Sequence, residues 1–127
     1  MIIDTHSHLF TEEFDDDLPE VMSRAREAGV GRIYMPNIDA STVEALLRVC
    51  RAYEGYCFPM LGLHPTSVNA GYQAELDTMK PMLDEPSHPF VAVGEVGLDL
   101  YWDKTFRNEQ EDAFRQQIAW ALEYDLP

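Results

Sequence analysis

Segments of strand character and segments of helix character alternate along the whole sequence. The strand segments cover about residues 2–6, 32–35, 56–63 and 90–95. The helical segments cover about residues 18–28, 43–50, 68–83 and 108–124. Such alternation is typical of parallel β-structure in which right-handed helical crossovers join the strands. The sequence therefore predicts an α/β fold with four consecutive strand–helix repeats.

Two helices carry signals for their start or their buried side. Ser41 stands three residues before Glu44, the spacing of a capping box, and predicts the start of the second helix. In the fourth helix, apolar residues recur at helical spacing and predict the stripe that faces the core. These residues are Phe114, Ile118, Ala121 and Leu122.

The charge of the chain limits its possible substrates. Nine basic and 23 acidic residues give a formal net charge of −14. A surface of this charge repels nucleic acid unless positive charge is concentrated locally, and bound divalent cations would supply that charge. Acidity that serves solubility alone is the open alternative.

The cysteines and the start of the chain bear on location. Cys50 and Cys57 form no Cys-x-x-Cys pattern and are expected to be free thiols in a reducing, cytoplasmic environment. Asp4 follows the apolar start at once, so no secretory signal is expected. No stretch approaches the roughly 20 apolar residues that cross a bilayer, so no membrane partner is expected.

Asp4, His6 and His8 recur at every second position of the first segment. An extended strand would send all three side chains to one face. Two imidazoles that project together offer a divalent metal its first ligands. The alternative is a polar strand end whose histidines face solvent or pair with carboxylates.

Chemically capable residues also follow two later strands. His64 ends the third strand segment, and Glu95 and Asp99 end or follow the fourth. Ligands of parallel α/β folds bind at the carboxyl ends of strands, where loops converge. The sequence therefore predicts that these residues meet His6 and His8 on one rim.

Glu95 is the strongest candidate partner for the histidines. It directly follows residues 91–94, which are small or apolar and are expected to be buried. Burying a carboxylate without a partner costs several kcal/mol, so a bound cation is expected. A structural ion pair with an arginine such as Arg32 is the alternative.

The remaining candidate residues are interpreted as follows. Asp4 is expected to support a ligand by hydrogen bonding rather than to bind metal itself. Asp99 either orients a histidine or a metal-bound water, or caps the following loop. His64 either binds an anionic group or packs in its loop. Tyr101 and Trp102 either form a stacking wall over the pocket or pack against the next helix. His88 is expected to be solvated and without function.

Three segments of the sequence resemble, in order, the signature segments of the TatD family. They are residues 3–9 (IDTHSHL), 62–65 (GLHP) and 94–99 (GEVGLD). The family belongs to the amidohydrolase-like metal-dependent hydrolases and has a (β/α)8 barrel. Its members are described as divalent-metal deoxyribonucleases and 3′→5′ exonucleases, with D-aminoacyl-tRNA deacylase activity attributed to some.

The resemblance implies a role for each matching residue. His6 and His8 would bind one metal, and Glu95 would act in catalysis by binding or bridging a pair of divalent ions such as Mg, Zn or Mn. His64 would lie by the substrate phosphate. The substrate would be DNA or another phosphodiester, with an ester or amide such as an aminoacyl-tRNA linkage as the alternative.

The family barrel has eight strands, whereas this sequence predicts four. Residues 1–127 are therefore expected to form one incomplete domain, the first half of a TIM-type barrel. A further histidine pair and a catalytic aspartate of the family have no position here, so this fragment alone is expected to be inactive. Four parallel strands leave two open edges, and self-association is expected.

Overall fold

A four-stranded sheet, parallel throughout, forms the centre of the computed structural model, which describes residues 1–127. Its strands are β1 (Ile2–Asp4), β2 (Val30–Pro36), β3 (Cys57–Leu61) and β4 (Ala92–Val93). The helices are α1 (Leu18–Glu27), α2 (Val43–Ala52), α3 (Tyr72–Met79) and α4 (Arg107–Glu123). The strand order β1-β2-β3-β4 follows the chain, with helices between the strands. This arrangement confirms the prediction of half a TIM-type barrel.

The first and fourth strands are shorter than predicted. β1 ends at Asp4, so His6 and His8 lie in the loop beyond it, and the expectation that they share a strand face was wrong. The β1 ladder stops because the Asp4 side chain accepts the backbone N–H of His6 at 3.0 Å. β4 pairs with β3 only at Ala92 and Val93. Its neighbour Pro59 has no N–H to extend the ladder.

The start of α2 differs from the predicted Ser41–Glu44 capping box. The observed box joins Asp39 and Thr42: the Asp39 carboxylate accepts from the Thr42 N–H, and the Asp39 N–H donates to the Thr42 hydroxyl, both at 3.2 Å. A short 3-10 turn, Ala40–Thr42, precedes the α-helix and moves the cap two residues upstream.

Helix α4 buries a different face from the one predicted. Its buried residues are Gln110, Ala113, Gln117 and Trp120. Of the predicted stripe, Ile118 is 46% exposed and Leu122 is 81% exposed. The two buried glutamines hydrogen-bond to backbone groups of neighbouring loops, so they face inward together with Ala113 and Trp120.

Two hydrophobic clusters pack against the sheet. One includes Met22, Ile33, Met35 and Leu46 and lies under β2 and the helices α1 and α2. The other includes Leu61, Leu76, Met79 and Trp120 and lies between β3 and the helices α3 and α4. The β1 edge is less covered: Ile2 and Ile3 are 56% and 45% exposed.

The two cysteines are free and buried, as expected. Burial raises the pKa of the Cys50 thiol to about 12 and that of the Cys57 thiol to about 11. No helix combines the length and the apolar composition that crossing a membrane requires. The cytoplasmic location stays a prediction.

Candidate metal centre

The carboxylate of Glu95 lies against three imidazole rings. Its Oε2 atom is 3.0 Å from His6 Nε2 and 3.2 Å from His8 Nε2. Its Oε1 atom is 3.0 Å from His64 Nε2. Loops that follow the first, third and fourth strands supply these residues, so the predicted convergence on one rim is present in the structure.

His6, His8 and Glu95 can together hold a metal ion. One ligand atom from each lies within 4.8 Å of the others. Donors bound to one tetrahedral zinc ion are separated by about 3.3 Å, given bond lengths of about 2.0–2.1 Å. The observed separations of 3.0 and 3.2 Å from Glu95 Oε2 are close to that value. A cation would therefore fit this cluster with little movement of its side chains.

Two atoms of the cluster lack a hydrogen-bond partner although they are buried. They are His8 Nε2 and Glu95 Oε2, which lie 3.2 Å apart without hydrogen-bond geometry. Burial lowers the pKa of His8 below its ordinary value, while the adjacent Glu95 carboxylate opposes that shift. A cation between the two atoms would satisfy both.

Asp4 shapes the loop that carries both histidines. Its carboxylate accepts hydrogen bonds from the His6 N–H, at 3.0 Å, and from the Ser7 hydroxyl. The Ser7 N–H donates to the carbonyl of Tyr34 in β2, at 3.2 Å, and so fastens the loop to the sheet. Asp4 thus acts on His6 through its backbone, and its role in metal binding stays a prediction.

Asn37, which was not among the candidates from the sequence, holds the segment that carries Glu95. The Asn37 N–H donates to the Gly94 carbonyl at 3.1 Å, and the Glu95 N–H donates to the Asn37 carbonyl at 3.2 Å. The Asn37 side chain is fully buried and donates to the carbonyls of Asp39, at 2.7 Å, and Gly62, at 3.0 Å. Its signal in the sequence is a lone amide directly after the end of β2.

Gly62 allows the Glu95 segment to approach β3 closely. A Cβ at Gly62 would lie 2.7 Å from the carbonyl carbon of Gly94 and 2.8 Å from the carbonyl oxygen of Glu95. Both atoms belong to the backbone and cannot rotate aside. A side chain at this position would therefore displace Glu95.

The ring of His64 is fixed by hydrogen bonds at its other nitrogen. Nδ1 accepts the N–H of Thr66 at 3.1 Å and lies 2.7 Å from the Thr66 hydroxyl. A neutral His64 therefore carries its proton on Nε2, the atom that faces Glu95. Behind it, the Leu63 N–H donates to Gln117 of α4 at 2.7 Å.

Asp99 caps its loop, one of its two predicted roles. Its side chain accepts the N–H of Tyr101 at 3.1 Å. Gln110 of α4 pairs with both backbone groups of Asp99, at 2.8 and 3.1 Å. The other predicted role, orientation of a histidine or a metal-bound water, stays a prediction.

Two other expectations were wrong. The alternative ion pair of Glu95 with Arg32 was wrong, because the Arg32 guanidinium lies over the ring of Phe58, 5.8 Å from its centroid. His88 is half-buried rather than solvated and stacks on Phe90, with ring centroids 5.9 Å apart.

Comparison with known proteins gives a consistent result. A family model described as TatD related DNase matches residues 3–127. The uncharacterized metal-dependent hydrolase YabD of Bacillus subtilis is 35% identical over 100% of this chain and 49% of that protein. The 3′-5′ ssDNA/RNA exonuclease TatD of Edwardsiella piscicida is 29% identical over 99% of this chain and 48% of that protein.

A solved structure matches the fold closely. The crystal structure of YjjV, a TatD homologue from Escherichia coli, has a TM-score of 0.90 and 33% sequence identity over 99% of this chain and 48% of that one. The chain thus spans about half the length of the curated relatives that it matches.

Proposed function

Because this chain belongs to the family of TatD-related DNases, we propose that it is part of a hydrolase that cleaves ester bonds with a divalent cation held by His6, His8 and Glu95. The observation that carries this proposal is the buried, unpartnered pair of His8 Nε2 and Glu95 Oε2 at the centre of the cluster. A buried imidazole nitrogen and a buried carboxylate oxygen without hydrogen-bond partners are unfavourable in a protein alone, and a bound cation would satisfy both.

Each side chain of the cluster would have a distinct task. His6 Nε2, His8 Nε2 and Glu95 Oε2 would hold the ion, and the Glu95 carboxylate would balance part of its charge. A bound divalent cation supplies a water molecule of lowered pKa and draws negative charge from a phosphoryl oxygen. The neutral ring of His64 carries an N–H at Nε2, beside the cluster. This N–H would donate a hydrogen bond to an oxygen of the substrate.

The proposed substrate is single-stranded DNA, cleaved at phosphodiester bonds from the 3′ end. The name of the Edwardsiella protein describes it as an exonuclease of this polarity. With a net charge of −14, the chain would hold the phosphates chiefly through cations rather than through a basic surface. We propose Mg, Zn or Mn as the metal, with Glu95 also helping to hold a second divalent ion.

A second candidate reaction keeps the metal and changes the bond. The bond would then be an ester or amide, such as an aminoacyl-tRNA linkage, and the strongly acidic composition favours a small or compact substrate. Rates measured on a single-stranded oligonucleotide and on an aminoacyl ester separate these two substrates directly.

The chain spans about half of its relatives, so turnover is proposed for a chain of their full length. We propose that residues 1–127 are the N-terminal half of one barrel domain. The half would bind the cation, and the other half would complete the acid–base groups. On its own, the 127-residue chain is expected to bind metal without turnover.

The test compares this chain with a fusion that continues after Pro127 with the C-terminal half of YabD. Metal content and cleavage of single-stranded DNA are measured for both forms. The fusion is expected to cleave, and His6→Ala/His8→Ala in the fusion is expected to lose both metal and cleavage. His88→Ala serves as the matched control, because this histidine lies outside the cluster. Unchanged metal content in the double variant would contradict the proposal.

A further inference from the structure

A cavity of about 330 Å³ lies beside the metal centre. Its volume falls in the range of roughly 300–1,000 Å³ that is usual for small-molecule sites. The lining combines apolar surface from Pro65, Val68, Trp102 and Phe106 with polar groups of Thr66 and Asp99. No residue of the cluster His6, His8 and Glu95 lines it, so it is a separate site.

Thr66 connects this cavity to the metal centre. Its N–H and hydroxyl both contact Nδ1 of His64, at 3.1 and 2.7 Å, while it also lines the cavity. The opposite nitrogen of the same ring lies 3.0 Å from Glu95 Oε1. One imidazole therefore separates the cavity from the carboxylate that would hold the cation.

Two aromatic side chains on the rim are exposed to an unusual degree. Tyr101 and Trp102 are each 81% exposed and pack edge to face, with centroids 4.6 Å apart and planes at 86°. With this exposure neither ring is packed against the next helix, which was one of the two expectations. Exposed large aromatic surface beside a cavity is typical of a binding site.

The loop that carries these rings is held in place. Gln110 pairs with both backbone groups of Asp99 at its start. Asp103 accepts from the N–H and the hydroxyl of Thr105 at its end, at 2.8 and 2.6 Å. Trp102 is thus presented on a loop that is anchored on both sides, which lowers the cost of ordering it when a ligand binds.

The charge of the residues that line the cavity indicates which part of a nucleotide it would bind. Asp99 and Asp103 both line the cavity and would repel a phosphate. A nucleobase is flat and uncharged, and its amino groups donate to carboxylate oxygens. We infer that this cavity takes one unpaired nucleobase of a single-stranded nucleic acid, stacked on Trp102 while the adjoining phosphate reaches the metal centre. The inference rests on the proposed function and specifies how its substrate would be bound.

Fluorescence tests the stacking, because the chain has two tryptophans and the other, Trp120, is only 3% exposed. A short oligodeoxyadenylate is titrated at low ionic strength, and an abasic oligonucleotide of the same length is titrated in parallel. The base-bearing strand is expected to quench Trp102, whereas the abasic strand, which carries the same phosphates, is not.

Affinity is measured separately by the anisotropy of a labelled oligodeoxyadenylate. Trp102→Ala is expected to weaken binding about 5- to 100-fold, the effect of losing one base–aromatic stack. Leu122→Ala is the matched control, since Leu122 is equally exposed at 81% and does not line the cavity. It is expected to bind as the original chain does.

Equal binding of the abasic strand, or unchanged affinity of Trp102→Ala, would overturn the inference. Metal titration separates a failure of this inference from a failure of the proposed function. Cation binding that His6→Ala/His8→Ala abolishes, together with no oligonucleotide binding at all, would overturn the base site and leave the metal centre standing. Base-dependent quenching without any cation binding would support the base site and contradict the metal centre.

Discussion

The backbone of Asn37, at the end of β2, is hydrogen-bonded to the backbone of Glu95 at 3.2 Å. Its amide side chain is fully buried and bonds to the carbonyls of Asp39 and Gly62 and to the hydroxyl of Thr42. A residue that touches no cation thereby sets the position of the carboxylate that would hold one.

Asn37→Ala is expected to lower the free energy of unfolding by about 2 kcal/mol or more, because each buried group left without a partner costs roughly 1–3 kcal/mol. It is also expected to weaken metal binding, since the lost side-chain bonds to the carbonyls of Asp39 and Gly62 hold in place the Asn37 backbone to which Glu95 is bonded. Urea unfolding and metal titration measure the two effects. The matched control is Asn108→Ala, an exposed position in α4. Equal stability of the two variants would show that Asn37 does not hold the segment.

Gly62→Ala is expected to destabilise the chain by about 1–3 kcal/mol, the usual cost of overpacking. The new Cβ would lie 2.7 Å from backbone of Gly94. Gly71→Ala is the control, because there the nearest atom is a side-chain oxygen of Asn69 at 3.3 Å. Thermal unfolding of both variants checks the difference, and a stable Gly62→Ala protein with full metal affinity would refute the close approach.

Glu95→Gln is expected to reduce cation affinity by at least about a hundredfold, because even groups that only support a ligand change affinity 10- to 100-fold. The amide keeps the shape of the side chain and removes its charge. Calorimetric titration with Zn or Mn provides the measurement. Glu85→Gln, at an exposed acidic residue elsewhere, is expected to bind as before. A Glu95→Gln protein of unchanged affinity would exclude this carboxylate as a ligand.

The raised pKa values of the two cysteine thiols predict that the free energy of unfolding falls at alkaline pH. Their pKa values rise from 9.0 to about 12 in Cys50 and about 11 in Cys57, with desolvation as the largest cause. The folded state therefore binds more protons than the unfolded state above pH 9. The stability that this provides is complete below pH 9 and is lost as pH rises through 11 to 12. Urea unfolding at pH 8 and pH 10 is the measurement, and Cys50→Ala/Cys57→Ala is expected to show a smaller drop.

The open sheet edges predict self-association of the 127-residue chain. Ile2 and Ile3 of β1 are exposed, as are Ile118 and Leu122 beside the opposite edge. Sedimentation is expected to show species larger than a monomer. The double variant Ile118→Gln/Leu122→Gln is expected to reduce the share of these larger species. Trp102→Ala removes equally exposed apolar surface away from the edges and is expected to have no such effect. A folded monomer would disprove this expectation.

The repeat pattern and the cluster residues could be predicted because their signals are local. Four apolar strand segments are visible in the sequence, and Glu95 stands out directly after one of them. The supporting residues could not be found in this way. Gln117 has the composition of a solvent-facing helix position, yet it is buried because Leu63, 54 positions away, has an N–H that needs an acceptor. The His-x-His spacing fits a strand equally well, until the Asp4 carboxylate takes the N–H that would continue it.

The two glutamines of α4 have a mechanical consequence for the site. Gln110 holds the Asp99 loop and Gln117 holds the His64 loop, and seven residues of one helix are about 10.5 Å long. The helix thus fixes the distance between two loops that follow different strands. Insertions within either loop leave this spacing intact, whereas one residue added between the glutamines would turn one of them by about 100° and detach its loop. The distance between the candidate metal centre and the aromatic rim is therefore set by a helix that supplies none of the residues His6, His8 and Glu95.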